Sequence, residues 1–264
     1  MRILFPLLLS LLVAPALAEL DWDSALGGEH RSERNRARDV YRHPRETLGF
    51  FGLEAGMSVV ELSPGGGWYT EVLAPLLRGN GDFYAAHNSP NGGAYARRAL
   101  GGYLRKLGDN DDIYGEVVVT TLAPPAAVAI APAGSADLVL AFRNVHSWMG
   151  PGTLDATFAA AYAALKPGGV FGVVQHRASD GRSVERMRET AYVSEAHVIA
   201  AAQGAGFVLD ARSEINANPK DPADHATGVW ELPPSLRGKE SEREEKLAIG
   251  ESDRMTLRFR KPQG

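Results

Sequence analysis

One stretch of the sequence decides the fold: Val59-Val60-Glu61-Leu62-Ser63-Pro64-Gly65-Gly66-Gly67-Trp68-Tyr69. It predicts a buried strand that ends in a carboxylate, then a glycine turn and the start of a helix. Glycine permits backbone angles that side chains forbid, and it lets a ligand approach the main chain. A helix that begins there points unpaired N–H groups into the same space. The stretch predicts a pocket for a nucleoside-bearing cofactor, although the same glycines could also form a plain turn.

Strand and helix patterns alternate along the rest of the chain. The predicted strands are 57–62, 82–86, 116–121, 136–142, 170–175, 207–214 and 255–261. The predicted helices are 32–42, 47–53, 69–77, 94–107, 154–165 and 195–204. This alternation predicts a doubly wound, Rossmann-like α/β fold with a mainly parallel sheet and an antiparallel last strand, which we expect at an edge.

The glycine turn is not a dinucleotide fingerprint, because its three glycines are consecutive. It resembles motif I of the class I S-adenosylmethionine-dependent methyltransferases, acidic-x-G-x-G-x-G. Glu61 matches the acidic residue, Gly65 and Gly67 match the second and third glycines, and Ser63 replaces the first. Three later stretches also resemble this family: Ser135-Ala136-Asp137-Leu138-Val139-Leu140, Ala164-Leu165-Lys166-Pro167-Gly168-Gly169 and Gly204-Ala205-Gly206-Phe207. The resemblance covers about residues 45–262 and implies a seven-stranded sheet and S-adenosylmethionine as the cofactor.

The first 18 residues have the pattern of a secretory signal. Arg2 is followed by a nearly apolar stretch over 3–14 and by the small-x-small site Ala16-Leu17-Ala18. The apolar run is shorter than the roughly 20 residues that a membrane helix needs, although an uncleaved anchor is the alternative. We therefore expect a protein that begins at Glu19, lies in the periplasm or is secreted, and has no stable membrane insertion.

Composition limits the classes of function. The 264 residues carry 32 acidic and 28 basic side chains and no cysteine. The acidic balance argues against nucleic-acid binding, and the lack of cysteine excludes disulfides, thiolate metal sites and a cysteine nucleophile. Residues 47–264 are expected to form the methyltransferase-like domain. Residues 19–46 are expected to form an arginine-rich helical segment, either a solvated helix or a lid that turns Tyr41 and His43 toward the ligand.

Ligands of open parallel sheets bind at the carboxyl ends of the strands, so the residues there are the candidate site. The resemblance implies that Glu61 and the glycine turn hold the methionine end of the cofactor. It also implies that acidic residues hold the ribose and the adenine, but His87, with Asn88, and Thr121, with Thr120, stand in those places. The predicted cofactor-binding residues are Glu61, Ser63, Gly65, Gly67, Tyr69, His87, Asn88, Thr121 and Arg143.

Methyl transfer to a small-molecule acceptor requires positioning, the exclusion of water and, for some acceptors, a base. His146 and His176 are the candidate bases because imidazole titrates near neutral pH, and Asn144 could orient the acceptor. Tyr69, Trp148 and Tyr41 could wall the pocket and contact the sulfonium, although core packing is the simpler role for each.

Two alternatives to an enzyme remain open at this point. His87, His146 and His176 all follow strands at one sheet edge and could together bind a transition metal. More generally, the chain could be a non-enzymatic protein that binds a small ligand on a methyltransferase scaffold, since fold does not fix function. The methyl acceptor and the oligomeric state do not follow from the sequence.

Overall fold

The structure is a computed structural model that describes residues 19–150 and 152–264. The predicted signal sequence lies outside these residues. The strands are β1 Ser58–Leu62, β2 Asp82–His87, β3 Val117–Ala123, β4 Ala127–Ala129, β5 Ala136–Phe142, β6 Leu165–His176, β7 Val208–Ser213 and β8 Arg254–Arg260. The helices are α1 Trp22–Gly27, α2 Glu33–Arg36, α3 Asp39–Arg42, α4 Pro44–Phe51, α5 Thr70–Leu77, α6 Gly93–Gly108, α7 Asp111–Tyr114, α8 Val145–Trp148, α9 Thr153–Ala164, α10 Val184–Thr190, α11 Glu195–Gly204 and α12 Arg243–Ile249. Two short 3-10 helices, Val229–Glu231 and Glu240–Glu242, precede α12.

Within the described residues the sheet has eight strands in the order β4-β3-β2-β1-β5-β6-β8-β7. Strands β3, β2, β1, β5 and β6 run parallel, and β4, β7 and β8 pair antiparallel with their neighbours. The predicted α/β fold is confirmed. The sheet has one strand more than the seven that the resemblance implied. The additional strand is the short β4, which lies in an Ala- and Pro-rich connection where no strand was predicted.

The alternating pattern of the last strand in the chain predicted an edge strand, and this prediction is wrong. β8 lies between β6 and β7. Met255, Leu257 and Phe259 point into the core, while Thr256 is also buried and accepts a hydrogen bond from Asn216 Nδ2 at 2.9 Å. The polar face of β8 is thus covered by other polar groups rather than by water. Alternation alone cannot distinguish these two situations.

Two hydrophobic layers cover the two faces of the sheet, as side-chain alternation requires. On β5, Val139 and Ala141 join one layer with helices α9 and α11, while Leu138 and Leu140 join the other with α4 and α5. Because the central strands are buried on both faces, their carboxyl ends and the loops that follow are where a ligand can reach the sheet.

The amino-terminal segment folds against the domain as short helices. The predicted helix 32–42 is divided into α2 and α3. Arg31 is 1% exposed and binds both carboxylate oxygens of Asp39, at 2.7 and 2.8 Å. Asn35 donates to the buried carboxylate of Glu71 on α5 at 2.9 and 3.0 Å. These contacts fix the segment over the carboxyl ends of the strands. In the described part of the chain, no helix is long and apolar enough to cross a membrane.

Candidate functional site

A cavity of about 390 Å³ opens at the carboxyl ends of β1, β5 and β6. It lies where the chain order of the sheet reverses, since β1 has β2 on one side and β5 on the other. Crevices at this position are the usual ligand sites of open α/β sheets. The volume falls in the range of about 300–1,000 Å³ that is typical of small-molecule sites.

The glycine turn forms one wall of this cavity. Gly65 has a φ of +60°, and both Gly65 and Gly66 line the cavity. A Cβ atom added at either residue would meet no atom within 4 Å, so a ligand has room against the main chain. Gly67 serves packing instead, because a Cβ there would come within 3.1 Å of Tyr103 and Lys106. The turn is therefore open on its ligand side and tightly packed behind.

Glu61 lies in the cavity wall at the end of β1 and is 3% exposed. Its Oε2 accepts a hydrogen bond from Thr70 Oγ1 at 3.0 Å, and Thr70 Oγ1 is also 3.0 Å from the hydroxyl of Tyr103. Burial raises the pKa of Glu61 to about 8, although the Thr70 hydrogen bond and the charge of Arg143 oppose the rise. Glu61 is therefore mainly protonated at neutral pH unless a cation enters the cavity.

Aromatic side chains form the adjoining wall. The Tyr69 ring stacks on Phe142 with 3.4 Å between ring centroids, and Trp68 meets Tyr69 edge-on at 4.7 Å. All three line the cavity, as does Trp230. The other two predicted wall residues lie elsewhere: Trp148 is buried in the core, and Tyr41 is 36% exposed.

His146 and His176, the predicted bases, both line the cavity with their ring centroids 5.7 Å apart. Gln175 Nε2 lies 3.3 Å from His146 Nδ1, and Ser252 Oγ lies 2.5 Å from His176 Nδ1. Burial lowers the pKa of His146 to about 4 and holds the pKa of His176 well below its usual range. Both imidazoles are therefore neutral at pH 7. Because an amide nitrogen can only donate, His146 Nδ1 accepts from Gln175 and the His146 ring has no free lone pair. His176 keeps a free lone pair on Nε2 when its Nδ1–H donates to the Ser252 hydroxyl.

Asn144 and Arg143 follow β5 and also line the cavity. Asn144 Nδ2 donates to the carbonyl oxygens of Leu62 and Ser63 at 3.1 and 3.0 Å, which ties the end of β5 to the end of β1. Arg143 has a φ of +62°, and burial lowers its pKa to about 10. The amide nitrogen of Asn144 thus has a structural role, and only its amide oxygen remains to contact a methyl acceptor.

Three of the predicted cofactor-binding residues lie on the β2–β3 side of the glycine turn. His87 is 1% exposed, and its Nδ1 accepts from the backbone N–H of Asn88 at 2.7 Å. The proton therefore lies on Nε2, which donates to Gly65 O at 3.1 Å and supports the turn from behind. Burial lowers the pKa of His87, which keeps this neutral form. Thr121 pairs with Ala129 where β3 meets β4.

The three histidines do not form a metal centre. His87 is held behind the glycine turn, whereas His146 and His176 lie in the cavity. Among the residues that the structure describes, no group of three or more histidine, aspartate or glutamate side chains is arranged to hold a metal ion.

The two ends of the chain supply cavity residues that are absent from the predicted site. Asn35, Arg38 and Arg42 come from the amino-terminal segment, in place of the predicted Tyr41 and His43. Their spacing of three and four residues could have indicated a shared site, because it places the three side chains on one face of a helix. The carboxyl-terminal part supplies the remaining residues, which are Val229, Trp230, Pro233, Pro234, Ser235, Glu251 and Ser252.

Searches with models of known protein families and against curated proteins find no match to this chain. Solved structures do match. A SAM-dependent methyltransferase from Aquifex aeolicus aligns with a TM-score of 0.54 and 18% identity, covering 68% of this chain and 87% of its own. The fold is that of the class I methyltransferases.

Two further structural neighbours are a methyltransferase and a cyclase. Phosphoethanolamine N-methyltransferase 2 from Haemonchus contortus, solved with S-adenosyl-L-methionine, aligns with a TM-score of 0.56 and 17% identity over 84% of this chain and 53% of its own. The cyclase SpnF aligns with a TM-score of 0.62 and 15% identity over 95% of this chain and 89% of its own. At these identities the likeness concerns the fold alone.

Proposed function

We propose that the protein binds S-adenosylmethionine and transfers its methyl group to a small-molecule acceptor. One observation carries the proposal: open space against the main chain of Gly65 and Gly66 lies in the same cavity as a buried carboxyl group on Glu61. This pairing suits a ligand with an ammonium group and a bulky body. The methyltransferase fold supports the proposal without deciding the chemistry.

The residues present fit the methionine end of the cofactor. Glu61 would hold its ammonium group, and a cation there would stabilise the ionised carboxylate that burial now disfavours. Gly65 and Gly66 would let the cofactor lie against the backbone, and Tyr69 would present an aromatic surface to positive charge. When bound, the cofactor would supply an electrophilic methyl group.

The chain's own contribution to the reaction would be positioning and the exclusion of water. Trp230, Pro233 and Pro234 line the cavity and would cover the acceptor. An acceptor that loses a proton would give it to the neutral imidazole of His176, because the lone pair of His146 already accepts a hydrogen bond from Gln175. Because burial lowers the pKa of His176, the proton would have to pass on quickly to solvent, or the acceptor would need none removed.

A non-enzymatic binding protein on the same scaffold is the second candidate. His87 and Thr121 stand where the family has acidic contacts to the cofactor, and His87 is used to support the glycine turn. The neighbour SpnF is a cyclase, so this fold also carries functions other than methyl transfer.

We also propose that the protein acts outside the cytoplasm, in the periplasm or after secretion. The proposal rests on the signal pattern of the first 18 residues. Because S-adenosylmethionine is made in the cytoplasm, an exported enzyme would need a supply of it. Fractionation of cells that express the full chain tests the location directly, and recovery with the cytoplasmic fraction would refute it.

Calorimetric titration of the protein with S-adenosylmethionine and S-adenosylhomocysteine tests the function. We expect micromolar binding that is lost in Glu61→Gln and kept in Glu54→Gln, a matched change at an exposed glutamate. Because ligand binding should ionise Glu61, the measured heat should also depend on the ionisation enthalpy of the buffer. Well-folded protein that binds neither compound would overturn the enzyme proposal.

A further inference from the structure

The charge of the cavity is the feature that the proposed function leaves unexplained. Arg38, Arg42 and Arg143 line it, and Arg254 lies behind them. Within the described residues, Glu251 is the carboxylate that faces them: it contacts Arg38 Nε at 2.7 Å, Arg42 Nε at 3.0 Å and Arg254 Nη1 at 3.0 Å. Three guanidinium groups thus share one carboxylate, and Arg143 adds a fourth positive charge to the cavity.

The other titratable groups of the cavity do not balance this charge. The raised pKa of Glu61, about 8, leaves it mainly protonated at pH 7. The lowered pKa values of His146 and His176 leave both imidazoles neutral. The cavity of the free protein is therefore strongly positive, in a chain whose formal net charge is −4. A local field of this sign attracts anions.

Arg42 shows where an anion would bind. It is 1% exposed, and its Nε donates to Glu251. Its Nη1 and Nη2 are buried and have no hydrogen-bond partner among the described residues, although buried donors are almost always paired. The two terminal nitrogens of a guanidinium form a planar fork that matches the two oxygens of a carboxylate or phosphate.

The fork is held in place before any ligand arrives. The Arg42 guanidinium stacks over the Trp68 ring at 4.6 Å. The backbone carbonyl of Arg42 accepts hydrogen bonds from Thr47 Oγ1 at 3.2 Å and from the Tyr69 hydroxyl at 3.4 Å. A donor pair that is fixed and dry in the wall of a cavity is a preorganised binding group, because little entropy is lost when the ligand binds.

We propose that these arginines bind an oxyanion of the methyl acceptor, so that the acceptor is a small molecule with a carboxylate or phosphate group. The substrate class rests on the proposed function. Charge balance separates the acceptor from the cofactor, whose one carboxylate is outweighed by its ammonium and sulfonium groups. The single positive net charge of the cofactor is balanced when Glu61 ionises, so the excess positive charge of the arginines remains, and a second, anionic ligand offsets it.

The test uses the full chain in Tris chloride at low ionic strength, with inorganic phosphate and succinate as separate calorimetric probes. We expect either or both to bind, and the stronger one to identify the oxyanion. The affinity should fall at least tenfold in Arg42→Gln and in Arg143→Gln, and should not change in Arg98→Gln, an exposed arginine on α6. Arg143→Gln keeps the test valid if Arg42→Gln fails to fold by circular dichroism.

The cofactor arm compares S-adenosylhomocysteine with 5′-methylthioadenosine, which lacks the carboxylate. We expect S-adenosylhomocysteine to bind the arginine variants with little loss of affinity. If neither probe binds, or if Arg42→Gln weakens S-adenosylhomocysteine but not 5′-methylthioadenosine, the arginines do not bind an acceptor and the proposal is overturned. Anion binding without S-adenosylhomocysteine binding would refute methyl transfer alone and keep the oxyanion site.

Discussion

Replacement of Glu61 by glutamine should change how stability depends on pH. Burial raises the pKa of Glu61 from 4.5 to about 8. Between these values the folded protein keeps a proton that the unfolded chain has lost. The stabilisation is therefore complete below pH 4.5 and is lost as the pH rises through 8. At about 1.4 kcal/mol per pH unit, the full window corresponds to at most about 5 kcal/mol.

Glutamine imitates the protonated acid and cannot ionise. We therefore expect Glu61→Gln to match the wild type near pH 5 and to exceed its free energy of unfolding by several kcal/mol, about 5 at most, at pH 8. Urea denaturation at pH 5, 6, 7 and 8 measures this difference. The lowered pKa values of His146 and His176 act at acidic pH in both proteins and cancel in the comparison. Parallel pH profiles for the variant and the wild type would show that Glu61 is already ionised.

Two further substitutions test the cavity wall and its amino-terminal cover. Gly65→Ala and Gly79→Ala both place a side chain at a positive φ, +60° and +68°, so each should lower the free energy of unfolding, measured with urea, by about 1 kcal/mol. Only Gly65→Ala should abolish cofactor binding, and equal binding by the two variants would refute our account of the turn. Arg31→Met removes the buried guanidinium that binds the half-buried Asp39, while Glu71 keeps its ion pair with Lys106. The change should therefore cost about 1.5–3 kcal/mol of unfolding free energy, and a loss under about 0.5 kcal/mol would mean that the segment is not anchored there.

The sequence predicted best those elements whose signals are local. Strand β5 and helix α11 begin and end at the predicted residues because an apolar run and a serine cap define them. Most residues that line the cavity from β1, β5 and β6, although not Phe142, were also named from the sequence, because parallel strands bring their carboxyl ends together. These predictions required only the order of strands along the chain and the rule that ligands bind at the carboxyl ends of parallel strands.

What the sequence could not predict depends on contacts between distant parts of the chain. Strand β8 was expected at an edge because its polar residues looked solvated, but Asn216 covers Thr256. Arg38 and Arg42 were assigned to a charged helix, either solvated or a lid, because nothing near them in sequence indicates that Glu251 binds them. His87 lies at the end of β2 as predicted, but its ring donates to Gly65 O instead of contacting the cavity. This hydrogen bond depends on the tautomer and the burial of the ring, which the sequence does not indicate.

Glu251 sets the time at which the cavity can first exist. It is separated by 213 residues from Arg38 and by 209 from Arg42, its partners near the opposite end of the chain. At synthesis rates of 5–20 residues per second, roughly 10–40 s pass between the emergence of α3 and that of its counter-ion. Until then Arg38 and Arg42 lack the carboxylate that binds them. A nascent chain therefore cannot hold ligand in this cavity, and a chain that crosses a membrane unfolded would complete the cavity at its destination.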